Sequence, residues 1–288
     1  MSERIDVRKT YKLFIGGAFP RSESGRTYEV TDVKGRFLAN AALASRKDGR
    51  DAVVAARGAA AKWAGATAYN RGQILYRVAE ILEGRRAQFV AEVQAAEGRT
   101  ARQAEAIVST AIDRWVWYAG WTDKFSAIVG GMNPVAGPYF NFSLPEPTGV
   151  VAVVAPQDSS LLGLVSVVAP IVATGNTVVV IASEDRPLPA VTLSEVLATS
   201  DVPGGVINIL TGKPSEIAPW LASHADVNAI DLTGITDKSL ATELERAAAD
   251  SIKRVLRPTP KADWDQTPNL ERMRAFVETK TVWHPIGV

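Results

Sequence analysis

The stretch that decides the fold runs from Gly149 to Ala182, GVVAVVAPQDSSLLGLVSVVAPIVATGNTVVVIA. It opens on Val150–Ala155 and closes on Thr177–Ile181, two runs of valine, alanine and isoleucine in which apolar and polar residues do not alternate. Uninterrupted β-branched runs of this length suit parallel strands covered by helices on both faces. Between them, residues 161–174 have the length and apolarity of a buried helix, and Gly175-Asn176 supplies the turn into the second strand. Leu161 to Ala182 is long enough to span a bilayer, but Pro170, Gly175, Asn176 and Thr177 interrupt it. It reads as helix, turn and strand, and no membrane segment is expected.

The same alternation continues downstream. Further strands are predicted at Val206–Leu210 and Ala229–Leu232, with helices at 161–174, 188–200, 215–223 and 236–250. Ala-Ser-His-Ala-Asp at 222–226 reads as a helix end entering the last strand. Strands alternating with helices in this way define an α/β fold, a doubly wound parallel sheet of Rossmann type. Upstream, residues 138–154, PYFNFSLPEPTGVVAVV, predict a hairpin-forming pair of strands interrupted by Pro145 and Pro147.

The N-terminal part is helical. Val53, Ala56 and Ala60, then Ile74, Leu75, Val78, Ala79 and Leu82, recur at three and four. Another helix is predicted over 100–126, with Ile107, Ala111, Trp115 and Tyr118 on one stripe. Its Trp115, Trp117 and Trp121 read as packing residues rather than a ligand platform. Residues 11–31 read as short strands around turns at Gly16-Gly17 and Ser24-Gly25, and 257–268, RPTPKADWDQTP, as a linker. No internal repeat or low-complexity tract is present.

Composition narrows the function classes. The 288 residues are 47% hydrophobic and 22% charged, an ordinary globular balance for one or two domains. Thirty-two basic residues face 31 acidic ones, which argues against a nucleic-acid footprint. There is no cysteine, hence no disulfide, as suits a reducing compartment. MSERIDVRKTYKLF has no apolar core of a secretory leader, and a cytoplasmic location is expected. The two histidines, His224 and His284, lie in different segments and offer no metal-ligand spacing.

Several motifs, in order, resemble the aldehyde dehydrogenase superfamily. KLFIGGAF with SESGRTYEV is similar to that family's opening hairpin, and WAGATAYNRGQILYRVAEIL at 63–82 to its first helices. PEPTGVVAVVAP at 145–156, AP-x-x-A-x-GNTVVV at 169–180, VPGGVINILTG at 202–212 and SHADVNAIDLTG at 223–234 resemble its cofactor-binding half. Glu278-Thr279-Lys280-Thr281-Val282-Trp283 resembles the strand near the family's C-terminus that pairs in the oligomerisation sheet. The resemblance implies an NAD(P)-binding-like Rossmann domain over 1–137 plus 149–256. It implies oligomerisation strands at 138–148 plus 270–288, and a linker, 257–269, where the catalytic domain would stand.

The departures concern chemistry. The family's nucleophile is a cysteine thiolate, and this sequence has none. Where the resemblance places an asparagine whose amide stabilises the oxyanion, the chain reads Gln157-Asp158-Ser159-Ser160. Where it places the lysine and glutamate that hold the adenosine ribose, the chain reads Ile181-Ala182-Ser183-Glu184 and keeps the glutamate alone. The glycine-rich turn beside the adenine becomes Gly212-Lys213-Pro214. The Thr-Gly-Ser at the pyrophosphate becomes Thr233-Gly234-Ile235, and Pro258-Thr-Pro-Lys stands where the general base is expected.

The expectations are therefore specific. No catalytic residue and no metal site are expected; Glu184, Gly212 and Gly234 remain as residues of a degenerate NAD or NADP site. The function implied is an aldehyde dehydrogenase-like pseudoenzyme assembling with a full-length aldehyde dehydrogenase subunit. Two readings stand beside it. One is an NAD(P)-dependent oxidoreductase active only within a complex, and the other is a nucleotide-binding module.

Overall fold

In the computed structural model, which describes residues 9–259 and 262–287, the chain first forms a two-stranded antiparallel ribbon, β1 (Thr27–Thr31) and β2 (Phe37–Ala42). Helix α1 (Arg46–Gly65) follows. Its start is fixed by a capping box: the Ser45 hydroxyl accepts from the Lys47 and Asp48 amides while the Asp48 carboxylate accepts from the Ser45 amide. Then come α2 (Ala68–Gly84), α3 (Arg86–Glu97) and α4 (Ala101–Trp121), the last opened by a Thr100–Gln103 box. The helix expected over 100–126 stops at Trp121, where the Thr122 hydroxyl donates back to the Ala119 carbonyl. The chain turns there into a short α5 (Phe125–Val129). Trp115 is fully buried and Trp117 and Trp121 pack against the same core.

Two strands, β3 (Gly131–Met132) and β4 (Tyr139–Pro147), precede the α/β unit. That unit runs β5 (Val150–Val154), α6 (Leu162–Ala173), β6 (Thr177–Ile181), α7 (Leu188–Ala198), β7 (Ile207–Leu210), α8 (Pro214–Ser223), β8 (Ala229–Asp231), α9 (Lys238–Ala249) and β9 (Arg254–Leu256). Its five strands are all parallel, in the order β7-β6-β5-β8-β9. The chain ends in α10 (Glu271–Ala275) and β10 (Val277–Pro285).

The absence of alternation in β5 and β6 follows from what covers them. Val151, Val153, Val178 and Val180 enter one core cluster, shared with α2, α3, α4, α6 and α7. Val150, Ala152, Val154, Val179 and Ile181 enter a second cluster on the opposite face, shared with α1, α8 and α9. Both faces are dry, so every strand position is apolar. All twelve residues of α6 are buried, which is why its sequence is apolar on every side.

The expected hairpin at 138–154 does not form. β5 is bonded along both edges, to β6 and β8, and has no edge left for β4. Instead β4 pairs antiparallel with β10 over nine residues, from Tyr139↔Pro285 to Pro147↔Val277, and with β3 on its other side. The stretch read as a linker is partly docked. The Arg114 guanidinium donates to the Trp264 and Gln266 carbonyls, Trp264 packs on the main core, and Met273 and Phe276 beyond it are buried.

Among the described residues two non-glycine positions have a positive φ, Asp201 and Ile252, and the β-branched one carries the strain. Ile252, just past α9, has a φ of 53° and is 94% exposed. The left-handed region costs a β-branched residue roughly 1–2 kcal/mol, and helix ends normally place glycine there. Ile252→Gly is expected to raise stability by about 1 kcal/mol, net of glycine's larger unfolded-state entropy. Chemical denaturation of the two proteins checks this; an unchanged or lower midpoint overturns it.

Candidate functional site

A doubly wound sheet opens a crevice at the carboxyl ends of its strands where the strand order reverses. Here that point lies between β5, whose chain proceeds outward to β6 and β7, and β8 on its other side. A cavity of about 460 Å³ sits there. One wall is the loop after β5, Pro156-Gln157-Asp158, and the other the loop after β8, Thr233 to Lys238. Pro258, Thr259 and Trp264, from the segment that follows β9, close it.

The β8 wall is locked onto the end of β5 at a single residue. The Gly234 amide donates to the Val154 carbonyl at 3.0 Å, and a Cβ on Gly234 would stand 1.9 Å from the Ala155 oxygen. Backbone meets backbone, so no side chain fits. The next residue, Ile235, is buried among Ile217 and Ala218 of α8 and Ala241 and Leu244 of α9. Its side chain belongs to that core cluster and also lines the crevice, where it offers no hydrogen bond.

Helix α9 begins at the crevice with its own anion. Asp237 is the N-cap, and its carboxylate accepts from the Ser239 amide at 2.7 Å and the Leu240 amide at 3.4 Å. The donors and the dipole with which a helix start attracts a phosphate are thus answered by a side-chain carboxylate. Asp158 is exposed at the opposite mouth, and its backbone carbonyl accepts from Arg186.

The predicted residues lie along this edge but do not converge. Glu184 follows β6. Its amide donates to the Gln157 side chain and its carbonyl accepts from the Tyr28 hydroxyl. Partial burial, then the neighbouring Asp185, raises its carboxyl pKa. The residue borders a separate pocket of about 370 Å³ shared with Glu29, Asp32 and Asp185. Gly212 follows β7 with a φ of 135°, and a Cβ there would press on the Ala44 amide and the Leu43 side chain at 3.2 Å. Pro214 stands at the first turn of α8, where its missing N–H removes no helical bond. Of the three expected cofactor residues, Gly234 alone lines the crevice.

Sequence reasoning passed over the residues that hold the crevice shut from below. Asp231 is fully buried at the end of β8 and ion-pairs with Arg272 of α10, Oδ2 to Nη1 at 2.7 Å. Its other oxygen accepts from the Thr233 amide at 2.9 Å and the Thr233 hydroxyl at 2.5 Å, and Arg272 also donates to that hydroxyl. Arg272 lies over the Trp264 ring, 5.4 Å from its centroid. The signal was available: an aspartate inside Ala-Ile-Asp-Leu must find a cation or a set of donors. Its partner, 41 residues on, was not legible. Among the described residues no group of His, Cys, Asp and Glu could hold a metal ion, and no helix is long and apolar enough to cross a membrane.

Fold and crevice together define a Rossmann-type unit with its ligand edge at the β5/β8 switch point. The profile of the aldehyde dehydrogenase family matches residues 19–257, and the chain belongs to that family. It is 33% identical over 256 residues to retinal dehydrogenase 2 of Gallus gallus, covering 87% of this chain and 48% of that one. It is 31% identical over 260 residues to the cytosolic 10-formyltetrahydrofolate dehydrogenase of Mus musculus, 88% of this chain and 28% of that one. Among solved structures it resembles an NAD+ complex of an aldehyde dehydrogenase from Bacillus cereus, with a TM-score of 0.81, 28% identity, and 86% and 50% of the two chains covered. It also resembles HpcC from Thermus thermophilus, with a TM-score of 0.79, 29% identity and 86% and 47% covered. The chain spans about half the length of the curated relatives it matches, less where the relative carries more.

The lock between β5 and β8 is directly testable. Gly234→Ala forces a methyl into the Ala155 carbonyl, and the loss of stability is expected to reach about 3 kcal/mol, the upper range for overpacking a dry site. A thermal midpoint within a degree of the parent's is the outcome that removes Gly234 from this role.

Proposed function

We propose that this chain is a non-catalytic member of the aldehyde dehydrogenase family that serves as a structural or regulatory subunit beside a full-length aldehyde dehydrogenase. The observation that carries the reading is the chemistry of the crevice. Its helix N-terminus is already capped by the Asp237 carboxylate, and Asp158 stands at the opposite mouth. An NAD or NADP pyrophosphate brought there meets two negative charges instead of free donors. The missing thiol points the same way, since none of the 288 residues is a cysteine and aldehyde oxidation in this family needs a cysteine thiolate to attack the aldehyde carbon.

Two measurements on the purified chain test this part. No aldehyde oxidation with NAD or NADP is expected, and calorimetry should give dinucleotide dissociation constants of about 100 µM or weaker, each lost charge-assisted contact being worth roughly 1.5–3 kcal/mol. Asp237→Ser keeps the cap and removes the charge, and should tighten binding by about threefold, the range of a charge–dipole term. Low-micromolar binding by the parent chain overturns the reading and favours a nucleotide-binding module.

The proposed partner surface is the β10-β4-β3 sheet. β10 is one of its two edge strands, and the longer one. Tyr139 and Trp283 pack edge to face on one side of it, while Phe140 and Leu144 lie on the other, all four exposed by about two-fifths or more. An outer strand with apolar side chains on both faces is a surface that proteins ordinarily cover, by strand addition or by packing. The occupant proposed is the sheet edge of a full-length family member. Two copies of this chain present the same donor strand and lack the catalytic-domain sheet that the resemblance makes its receiver, so the family's reciprocal contact is closed to them. Removing residues 278–288 is expected to abolish co-elution with a co-expressed full-length aldehyde dehydrogenase while the α/β unit stays folded by circular dichroism. Unchanged co-elution at the same stoichiometry refutes strand docking.

A further inference from the structure

Behind the crevice lies a second cavity of about 460 Å³, bounded by α4, α6 and the segment leading into α10. Thr259, Ala262 and Trp264 line both spaces, and the Trp264 ring is the largest part of the partition. Two polar side chains of α4 reach this second cavity from deep positions. Arg114 is 6% exposed and Tyr118 is 2% exposed. Burying a guanidinium is costly unless an anion or a full set of acceptors answers it. Here one nitrogen of Arg114, Nη2, donates to the Trp264 and Gln266 carbonyls at 2.7 and 3.0 Å. Among the described residues Nε and Nη1 have no acceptor and Arg114 has no ion-pair partner. Nor has the Tyr118 hydroxyl a partner among them; burial pushes this phenol up to about 12, so it stays protonated and able to donate.

Of the other charges nearby, Asp265 attracts Arg114 from an exposed position without forming an ion pair with it. Arg272 is committed to Asp231 and Thr233. Asp263 and Glu271 line the cavity as exposed residues at its solvent side, and Asp265 is likewise exposed. A buried cation and a buried hydroxyl thus open on one space large enough for a small organic molecule.

The geometry points to a binding site for a small organic monocarboxylate in this cavity, its two oxygens taken by the free side of the Arg114 guanidinium and the Tyr118 hydroxyl. A guanidinium edge matches a planar carboxylate, with its two acceptor oxygens, better than a point charge does. The Trp264 and Leu256 side chains supply an apolar wall for the body of the ligand. A dianion such as phosphate suits the site less, because Arg272, the other cation lining the cavity, is already paired with Asp231, and Arg114 with one neutral donor leaves the second charge unanswered beside Asp263 and Glu271. This site lies outside the dinucleotide crevice, so it stands or falls independently of the function proposed above.

Calorimetric titration of the whole chain with benzoate tests it, with benzamide as the neutral isostere and inorganic phosphate as the dianion. Saturable one-to-one benzoate binding is expected, with benzamide and phosphate weaker by at least about tenfold, as loss of a charge-assisted pair predicts. Arg114→Gln should weaken benzoate by about tenfold or more, and Tyr118→Phe, which keeps the ring and its packing, by about threefold. Because Arg114 also holds the 264–266 backbone, circular dichroism and the thermal midpoint of both variants are read first. If Arg114→Gln does not fold, Tyr118→Phe and the benzoate–benzamide comparison decide. No saturable benzoate binding, equal binding of benzamide, or parent-like affinity in every folded variant overturns the site.

Discussion

Five consecutive residues, Val150 to Val154, are each 1% exposed or less, and the strand they form is bonded on both edges as well as covered on both faces. Removing that much β-branched surface from water contributes on the order of 1.5–3 kcal/mol for each large side chain, and it constrains everything placed around it. The helices must divide between two faces, because odd and even positions of β5 and β6 feed different clusters. The chain entering β5 cannot pair with it. β4 is therefore forced outward, and its ladder is completed by β10, more than 130 residues away. The exposed sheet proposed as a docking surface is in this sense a by-product of how completely β5 is enclosed.

The same constraint explains why the carboxyl edge is so closely built. With β5 central, the loop after β8 can approach it only backbone to backbone, and Gly234 is the residue that permits this. What lies below must then be held rigidly. The Asp231–Arg272 pair does so from a buried position, where breaking one partner typically costs about 3–5 kcal/mol because the survivor is left uncompensated. Arg272 lies on α10, and α10 is anchored again by Met273 and Phe276 in the main core. The Phe276 carbonyl accepts from the Asn176 side chain and the Thr148 amide. Residues 264–277 are thus part of the Rossmann unit's packing.

How much of this was legible depends on the range of the interactions. The parallel strands and the helices between them follow from runs of Val, Ile and Ala, and the structure places most of their ends within two residues of the pattern. The start of α1 could be read from Ser45 and Asp48 alone. What could not be read were contacts made at a distance. Tyr139–Pro147 has the composition of a hairpin strand, and nothing local says that its neighbour in sequence is unavailable. RPTPKADWDQTP has the composition of a linker, and only the burial of Arg114 reveals that two of its carbonyls are fixed. In the site, Gly234 was recognisable by its motif. Asp237 was not singled out, because a cap residue and an anion-repelling residue are written with the same letter.

That double meaning bears on the function. A helix N-terminus facing a crevice has four unsatisfied amides and a partial positive charge, and something negative will settle there. When a side chain of the protein supplies the charge, the helix gains stability in the absence of any ligand, and an incoming phosphate must displace or coexist with it. Asp237 makes that trade in favour of the unliganded fold, and Ile235 makes it again by placing an alkyl group in the core cluster that takes in α8 and α9. Pro214, preorganised for the first turn of α8, favours the same outcome. On the proposed reading, each of these residues stabilises the scaffold at the expense of cofactor affinity. A chain under demand for turnover would have to resist that drift, whereas one retained for its surfaces would accumulate it. The pattern is therefore coherent with a subunit whose Rossmann unit works as a framework, rigid at the ligand edge and exposed at the β10-β4-β3 sheet.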